Sequence, residues 1–221
     1  MTITLTGSER LPLSLADRAY LTLRERLVTL QIEPGAPIDD VQVGAELQCG
    51  RTPVREAFKR LEDDRLVIAF PRRGTFAAGV DITNLAHINE IRLELEPLAA
   101  RRAAQQATPS QRDQMRGLIA RFDSVDELPA DRTDLIRLDL AVHRAIYRAA
   151  GNPHLEDVLI RHHHLATRIF CLFLPRLGQV AEHVNEHAAL LTAIITGGAN
   201  AAAEIAEGHV AGFEAAVRAV I

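Results

Sequence analysis

The chain has 221 residues, of which 48% are hydrophobic and 24% charged, and its formal net charge is −4. This composition predicts a globular protein that buries one or two cores, and it argues against a disordered chain. No apolar run approaches the roughly 20 residues that a membrane-spanning helix needs. The N-terminus lacks a basic region followed by an apolar one, and the two cysteines lie far apart, so we expect a reduced, cytoplasmic protein.

The first 80 residues predict three helices followed by a two-stranded hairpin. The first helix is expected from Leu15 to Leu30 and the second from about Val41 to Leu47, after an aspartate N-cap. Gly50 ends the second helix, and a third begins near Thr52 with a proline in its first turn, where the missing N–H costs little. The segments LVIAF and TFAAGV then predict two short strands around the turn PRRG.

From Thr83 onward the apolar pattern is helical throughout, and turn-forming Pro and Gly residues divide it into six segments. Six helices joined by short connections predict a helical bundle. The expected helices are Leu85–Gln106, Ser110–Val125, Thr133–Ala150, His154–Leu174, Val180–Thr196 and Ala199–Val220. We therefore predict a mainly α protein with two domains, a winged helix-turn-helix in residues 1–80 and a six-helix bundle in residues 81–221.

The order of three helices and a hairpin is that of a winged helix-turn-helix, which inserts the N-terminal end of its recognition helix into the DNA major groove. Arginine suits bidentate contacts there, and the expected contact residues are Arg51, Thr52, Pro53 and Arg55. The hairpin turn would form a wing beside a phosphate or in the minor groove, through Arg72, Arg73 and Gly74. The alternative is an ordinary solvated helix, because the first 80 residues carry 11 basic and 11 acidic residues.

The segments RTPVREAFKRLEDDRLV and PRRGTF, preceded by Leu23-Arg24 and Ile32-x-Pro34-Gly35, resemble the GntR family of bacterial transcription regulators. The resemblance runs from about Leu15 to Val80 and implies that the recognition helix and the wing contact operator DNA. Two glycines depart from the family pattern. Gly50 replaces the usual Ser, and Gly44 stands where Ala is usual, at a cost of about 1 kcal/mol of helix propensity.

A carboxylate and an imidazole share one face of the third bundle helix, because Asp139 and His143 lie four residues apart. Apolar neighbours predict that this face points into the core, where a buried carboxylate needs pairing. His187 lies on a similar apolar stripe of the fifth helix, and His209 lies on the sixth. His183, one turn before His187, is kept as a further possible ligand. One carboxylate and three imidazoles would bind Zn²⁺ or another first-row divalent ion with one or two positions left open.

The bundle resembles the FCD-type ligand-binding domain of the FadR branch of the GntR family, with a helix count like that of the VanR-type subgroup. The segments that carry this resemblance are EIRLELEPLAARRAA, DLAVHRAI, EHAALLTAIITGG and GHV. The resemblance implies that Asp139, His143, His187 and His209 are the metal ligands. Zn²⁺ is the metal we expect for such a donor set, with Ni²⁺ or Mn²⁺ as alternatives.

A second group of residues could hold a small-molecule effector. Arg92 lies between core-directed residues of the first bundle helix, and the family resemblance implies that it binds an organic acid beside the metal. The alternative is an intrahelical ion pair with Glu96. Arg168 is a weaker candidate for a second clamp. At most one of His162, His163 and His164 can face the cavity, because consecutive helical positions differ by about 100°. One of them could line the pocket, but we expect a surface position.

These features predict a homodimeric transcription regulator, a repressor rather than an enzyme, which binds double-stranded operator DNA and responds to a small organic acid. A dimer would place two recognition helices one turn of DNA apart. One alternative is a metal-dependent hydrolase, but the chain has no H-E-x-x-H motif and Asp139 would already be a metal ligand. Another alternative is a regulator whose metal is purely structural.

Overall fold

The computed structural model describes residues 13–123, 132–174, 176 and 180–220, with the backbone alone for residues 123, 132 and 180–185. The described residues form two compact units. The first contains those up to Leu27 together with Ile32–Ala78, and the second contains Val28–Gln31 and those from Gly79 onward. No helix among the described residues combines the length and the apolar character that crossing a membrane requires.

The first unit contains three helices and a small antiparallel sheet. Its helices are α1 (Leu15–Val28), α2 (Asp40–Glu46) and α3 (Arg51–Asp63), and its strands are β1 (Pro37–Ile38), β2 (Val67–Phe70) and β3 (Gly74–Ala77). The strand order is β1-β3-β2. The predicted helices and hairpin are confirmed. The structure adds β1, in which Pro37 pairs with Phe76 and Ile38 with Thr75.

Local interactions fix where α2 and α3 lie. The Asp39 carboxylate accepts hydrogen bonds from the backbone N–H groups of Val41 and Gln42 and so caps α2. The turn between α2 and α3 passes close to Gly44 in α2, where a Cβ atom would lie 2.9 Å from the Cys49 carbonyl oxygen. Glycine therefore costs helix propensity at this position but allows the close approach of the two segments.

The second unit is a bundle of six helices in the part of the chain that is described. Its helices are α4 (Leu85–Gln106), α5 (Pro109–Asp123), α6 (Arg132–Ala149), α7 (Pro153–Phe173), α8 (Val180–Ile195) and α9 (Ala199–Arg218). Their ends lie within two residues of the predicted ends, except that the predicted end at Val125 lies outside the described residues. The predicted six-helix bundle is thus confirmed.

Helix α4 occupies the centre of the bundle and contacts α6, α7, α8 and α9. Small residues allow these close approaches, because Ala99, Ala100 and Ala103 on α4 and Ala202 on α9 are fully buried. A polar side chain on the inner face of any of these helices therefore points toward the others. This arrangement brings residues that are far apart in sequence into one site.

Candidate functional site

The N-terminal end of α3 presents polar side chains to solvent. Arg51, Thr52 and Arg55 are exposed and Pro53 is half-buried, whereas Val54 is fully buried and anchors the helix on the core. The N-cap residue is Gly50, which has no side chain to cap the first N–H groups of the helix. A helix start of this kind, flanked by exposed arginines, can accept an anionic group.

Both arginines are held by one carboxylate of α2. Arg55 Nε donates to Asp40 Oδ2 at 2.6 Å, and Arg51 Nε and Nη2 lie 3.3 and 3.2 Å from the same oxygen. Hydrogen bonds from Arg55 and Arg51 hold the pKa of Asp40 below its ordinary value. The two arginines are therefore oriented before any ligand is bound.

The wing places a charged residue in an unfavourable backbone conformation. Arg73 N donates to the Phe70 carbonyl across the turn, and Arg72 has a φ of 64°. The left-handed region costs a residue other than glycine about 1 kcal/mol. Arg72, Arg73 and Gly74 are all exposed. The guanidinium group of Arg72 is thus exposed at the hairpin tip. In a type II turn with Pro71 in its second position, glycine is favoured at the third position, which Arg72 occupies.

Four of the seven predicted DNA-binding residues line one cleft of about 420 Å³ between α2, α3 and the wing; these are Arg51, Arg55, Arg73 and Gly74. Thr52, Pro53 and Arg72 are not among the described residues that line it. The cleft also contains Asp39 and Asp40. The first unit therefore carries an open site in which arginines from the helix and the wing surround two carboxylates.

The four predicted metal ligands come together in the second unit. One donor atom from each of Asp139, His143, His187 and His209 lies within 4.8 Å of the others. His187 Nε2 lies 3.2 Å from both Asp139 Oδ1 and His143 Nε2, and His143 Nε2 lies 3.6 Å from Asp139 Oδ1. Ligand bonds of about 2.1 Å separate neighbouring donors by roughly 3–4 Å. The donor set therefore fits one divalent metal ion.

Neighbouring polar groups turn two of the histidines toward this cluster. His143 Nδ1 lies 3.0 Å from the Tyr147 hydroxyl and 3.4 Å from Glu96 Oε2, and His209 Nδ1 lies 2.8 Å from Glu186 Oε2. Such contacts to the outer nitrogen fix the ring orientation of a metal-binding histidine. The Nε2 atom of His143 thereby lies on the side of the cluster, 3.2 Å from His187 Nε2.

The charge states of His143 and Asp139 are those that metal binding requires. Burial lowers the pKa of His143 to about 4, so its imidazole is neutral at neutral pH. Burial alone would raise the pKa of Asp139, but the nearby His163 and His143 hold it well below its ordinary value. A neutral imidazole and an ionised carboxylate can bind a metal ion without first losing a proton.

The expected surface position is wrong for two of the three consecutive histidines. His163 and His164 are buried, because a wide face of α7 packs into the bundle. The His163 ring stacks on His143 with ring centroids 4.0 Å apart, and its Nε2 lies 3.1 Å from Asp139 Oδ2. His162 is half-buried and lies 2.7 Å from the Val158 carbonyl. His163 with Glu96 and His143 forms a second group of potential donors.

Arg92 is fully buried and already has a partner. Its Nε donates to Glu96 Oε1 at 2.6 Å, and its Nη1 lies 3.4 Å from Asn89 Oδ1. Burial would raise the pKa of Glu96, but Arg92 and His143 hold it well below its ordinary value. The intrahelical pair that was the alternative to effector binding is therefore present, although Arg92 also lines the cavity beside the cluster.

This cavity has a volume of about 30 Å³, which is room for an ion with one or two water-sized groups. Polar residues line its cluster side, namely Arg92, Asp139, His143, His163, Thr167, His187 and His209. The other described lining residues are apolar, namely Phe122, Leu135, Ile136, Ala166, Phe170, Leu174 and Phe213. Arg168 is buried but is not among the described lining residues, so its role as a second clamp stays a prediction. The His183 side chain lies outside the described residues.

Sequence reasoning missed Tyr147, Glu186 and the contact of Glu96 with His143, and it favoured a surface position for His163. Tyr147 stands four residues after His143, at the spacing that puts two side chains on one helix face. That spacing was a usable signal. The sequence pattern gives no comparable signal for Glu186, because its contact with His209 depends on how α8 packs against α9.

Both parts of the chain match known protein families. Residues 15–77 match the family described as bacterial regulatory proteins, gntR family, and residues 87–212 match the FCD domain. The chain is 30% identical over 132 residues to the Nta operon transcriptional regulator of Aminobacter aminovorans, a match that covers 60% of each protein. It is 25% identical over 203 residues to the galactonate operon transcriptional repressor of Escherichia coli K12, which covers 82% of this chain and 87% of that protein. The match to the Aminobacter regulator thus spans less than two thirds of that relative's length.

Solved structures share the fold. Escherichia coli McbR/YncC has a TM-score of 0.82 at 21% identity and covers 94% of this chain and 99% of its own. A GntR regulator from Rhodococcus sp. RHA1 has a TM-score of 0.69, also at 21% identity, over 93% of this chain and 98% of its own. At this level of identity the likeness supports the arrangement of helices and strands and carries no information on ligands.

Proposed function

The chain belongs to the GntR family of bacterial regulatory proteins and carries an FCD domain, and we propose that it is a repressor whose operator affinity is controlled by a metal-bound carboxylate effector. The family and the relatives are transcriptional regulators, not enzymes, which removes the hydrolase alternative. Repression is proposed because the Escherichia coli galactonate operon relative is named a repressor.

DNA contact is assigned to the exposed end of α3 and to the wing. Arg51, Thr52 and Arg55 would reach base edges or phosphates in the major groove, and Arg72 and Arg73 would contact the backbone or the minor groove. The half-buried Pro53 would set the start of the helix rather than contact a base. A cytoplasmic homodimer would place two such surfaces one turn of DNA apart on a pseudo-palindromic operator.

Metal binding is assigned to Asp139, His143, His187 and His209. The observation that carries this assignment is that four buried or partly buried donors from three helices converge within 4.8 Å. Zn²⁺ suits the donor set best, with Ni²⁺ or Mn²⁺ as alternatives. When bound, the ion would supply an electrophilic site for a carboxylate oxygen.

The effector is proposed to be a carboxylate with an apolar body. Glu96 already neutralises Arg92, so the metal rather than Arg92 would be its main anchor, with Arg92 beside it. The rest of the described lining is apolar except for His163 and Thr167. Burying apolar surface of the effector there would favour binding by about 25 cal/mol per Å². Each effector hydroxyl buried without a hydrogen-bond partner would cost about 1–3 kcal/mol. The cavity would have to enlarge to admit such a molecule.

Two acids of equal carbon number test this assignment, because 2-hydroxyhexanoate and galactonate have the same 2-hydroxycarboxylate head and differ in their tails. We expect 2-hydroxyhexanoate to bind the Zn²⁺-loaded protein at least tenfold more tightly in calorimetry and to release it from operator DNA. Equal or tighter binding of galactonate would contradict the apolar-body assignment while leaving a carboxylate effector standing.

A purely structural metal is the second candidate, and the small cavity together with the neutralised Arg92 favours it. In that case no carboxylate would change the operator affinity of the metal-loaded protein. Removing the metal would instead lower the midpoint of thermal unfolding of the bundle. A panel of chelating carboxylates without effect on DNA binding would therefore replace the first candidate with the second.

A further inference from the structure

We infer that Asp40 is a specificity-determining residue, a carboxylate that orients the two recognition arginines and competes with DNA phosphates for them. The inference rests on the proposed DNA-binding role of Arg51 and Arg55. It assigns a part in DNA recognition to an acidic residue, although DNA phosphates repel a carboxylate.

The geometry is that of one acceptor beneath two guanidinium groups. A single oxygen, Asp40 Oδ2, accepts from Arg55 Nε and from Arg51 Nε and Nη2. The Asp40 side chain is only 16% exposed, whereas those of Arg51 and Arg55 are 57% and 62% exposed. The carboxylate therefore lies under the arginines, and the two Nη atoms of Arg55 are not used in this contact.

The position of Asp40 is fixed by its own element. It is the first residue of α2, directly after Asp39, whose side chain caps the helix. Asp40 and both arginines line the cleft that also contains Arg73 of the wing. Three arginines and two aspartates leave this cleft with a formal charge of +1, which would become +2 without the Asp40 charge.

The two modes of DNA binding respond differently to this charge. Non-specific binding depends on phosphate contacts and on the counterions that they release, so an internal carboxylate weakens it. Specific binding depends on arginines that approach base edges in a defined direction, and a carboxylate that fixes the guanidinium plane favours it. Asp40 should therefore raise the ratio of specific to non-specific affinity, because it lowers the non-specific affinity more than the specific affinity.

The test compares Asp40→Asn with Asp17→Asn in the full-length, metal-loaded protein. Asp17 pairs with Arg60 at 2.8 Å, so its variant removes the same charge from another arginine pair of the first unit, outside the cleft. The probes are an operator selected from random duplexes by the wild type and an unrelated duplex of equal length. Fluorescence anisotropy at KCl concentrations from about 50 to 200 mM gives both affinities and their salt dependence.

We expect Asp40→Asn to bind the unrelated duplex about three- to tenfold more tightly and to steepen the slope of log affinity against log salt by about one. Its specificity ratio should fall, while Asp17→Asn keeps the wild-type ratio. Asp40→Glu should restore near wild-type non-specific affinity, which a merely structural role of the side chain would not predict.

An unchanged specificity ratio in Asp40→Asn would overturn the inference, and so would Asp40→Glu behaving like Asp40→Asn. Both results would leave the DNA-binding function intact, because the wild type has then selected an operator. Failure of the wild type to select any sequence would overturn the proposed function and this inference together.

Discussion

The two candidate sites of this protein are built in opposite ways. The DNA-facing site takes its arginines from one stretch of 23 residues between Arg51 and Arg73, and they lie exposed at the end of a helix and at the tip of a hairpin. The candidate metal site takes its donors from positions as far apart as Asp139 and His209, and its three histidines are almost completely buried.

This difference determines which solution condition each site responds to. Exposed charges are screened by salt over about 10 Å, so the strength of the DNA-facing site should follow ionic strength. Buried groups are screened far less and respond instead to protonation and to metal. Conditions that affect one site can therefore leave the other nearly unchanged.

Acidification gives the largest expected contrast, because it should destabilise the metal-free second unit. The pKa of His143 is about 4 in the fold, below its ordinary value of 6.5, so between these values the unfolded chain binds a proton that the folded chain does not. Stability is therefore lost as the pH falls through this window, by on the order of 3 kcal/mol. The lowered pKa values of Asp139 and Glu96 add to the loss at still lower pH.

Urea unfolding with chelator at pH 7.5, 6, 5 and 4 measures this loss. The His143→Gln variant should show a flatter pH dependence, whereas His154→Ala, which changes an exposed histidine, should follow the wild type. Parallel pH profiles for wild type and His143→Gln would show that His143 does not set the acid sensitivity.

At the exposed site, Arg51→Ala should lower operator affinity by about 10- to 100-fold, the equivalent of one bidentate base contact. Arg18→Ala removes an exposed arginine from α1 and serves as the matched control, with a change of less than about threefold expected at the same salt concentration. Anisotropy titrations give both values. Equal effects of the two variants would mean that Arg51 contributes only its charge.

The smallest expected effect concerns the turn that positions the recognition helix. Gly44→Ala should lower the free energy of unfolding by about 1–2 kcal/mol, although alanine is the better helix former, because its Cβ would lie 2.9 Å from the Cys49 carbonyl oxygen. Gly117→Ala in α5, where a Cβ meets nothing within 4 Å, should raise it by about 0.5–1 kcal/mol. Denaturant midpoints that rise in both variants would remove the steric role of Gly44.

Much of this architecture could be predicted from the sequence, because the signals are local. The start of α3 follows from Gly50 and Pro53, and the six bundle helices follow from apolar periodicity and from Pro and Gly at their ends. Strand β1 could not be predicted, since two residues become a strand only by pairing with β3. The periodicity of a local segment carries no information about such a partner.

The group of proposed metal ligands also shows that local sequence signals do not predict contacts that depend on packing. The i, i+4 spacing of Asp139 and His143 indicated a shared face, and the apolar stripe around His187 indicated burial. The burial of His163 and His164 could not be inferred, because it depends on how α4 and α6 cover α7. Likewise, the spacing of Arg92 and Glu96 suggested their pair, but the contact of Glu96 with His143 requires the packing of α4 against α6.

The most direct test of the account is the metal content of the untagged protein, purified without chelator and measured by mass spectrometry. His187→Ala removes one proposed ligand, and His154→Ala is the control for an exposed histidine. We expect about one transition-metal ion per chain in the wild type and in His154→Ala, and a large loss in His187→Ala. No bound metal in any of the three proteins, even after reconstitution with Zn²⁺, Ni²⁺ and Mn²⁺, would contradict the proposal of a metal-controlled regulator.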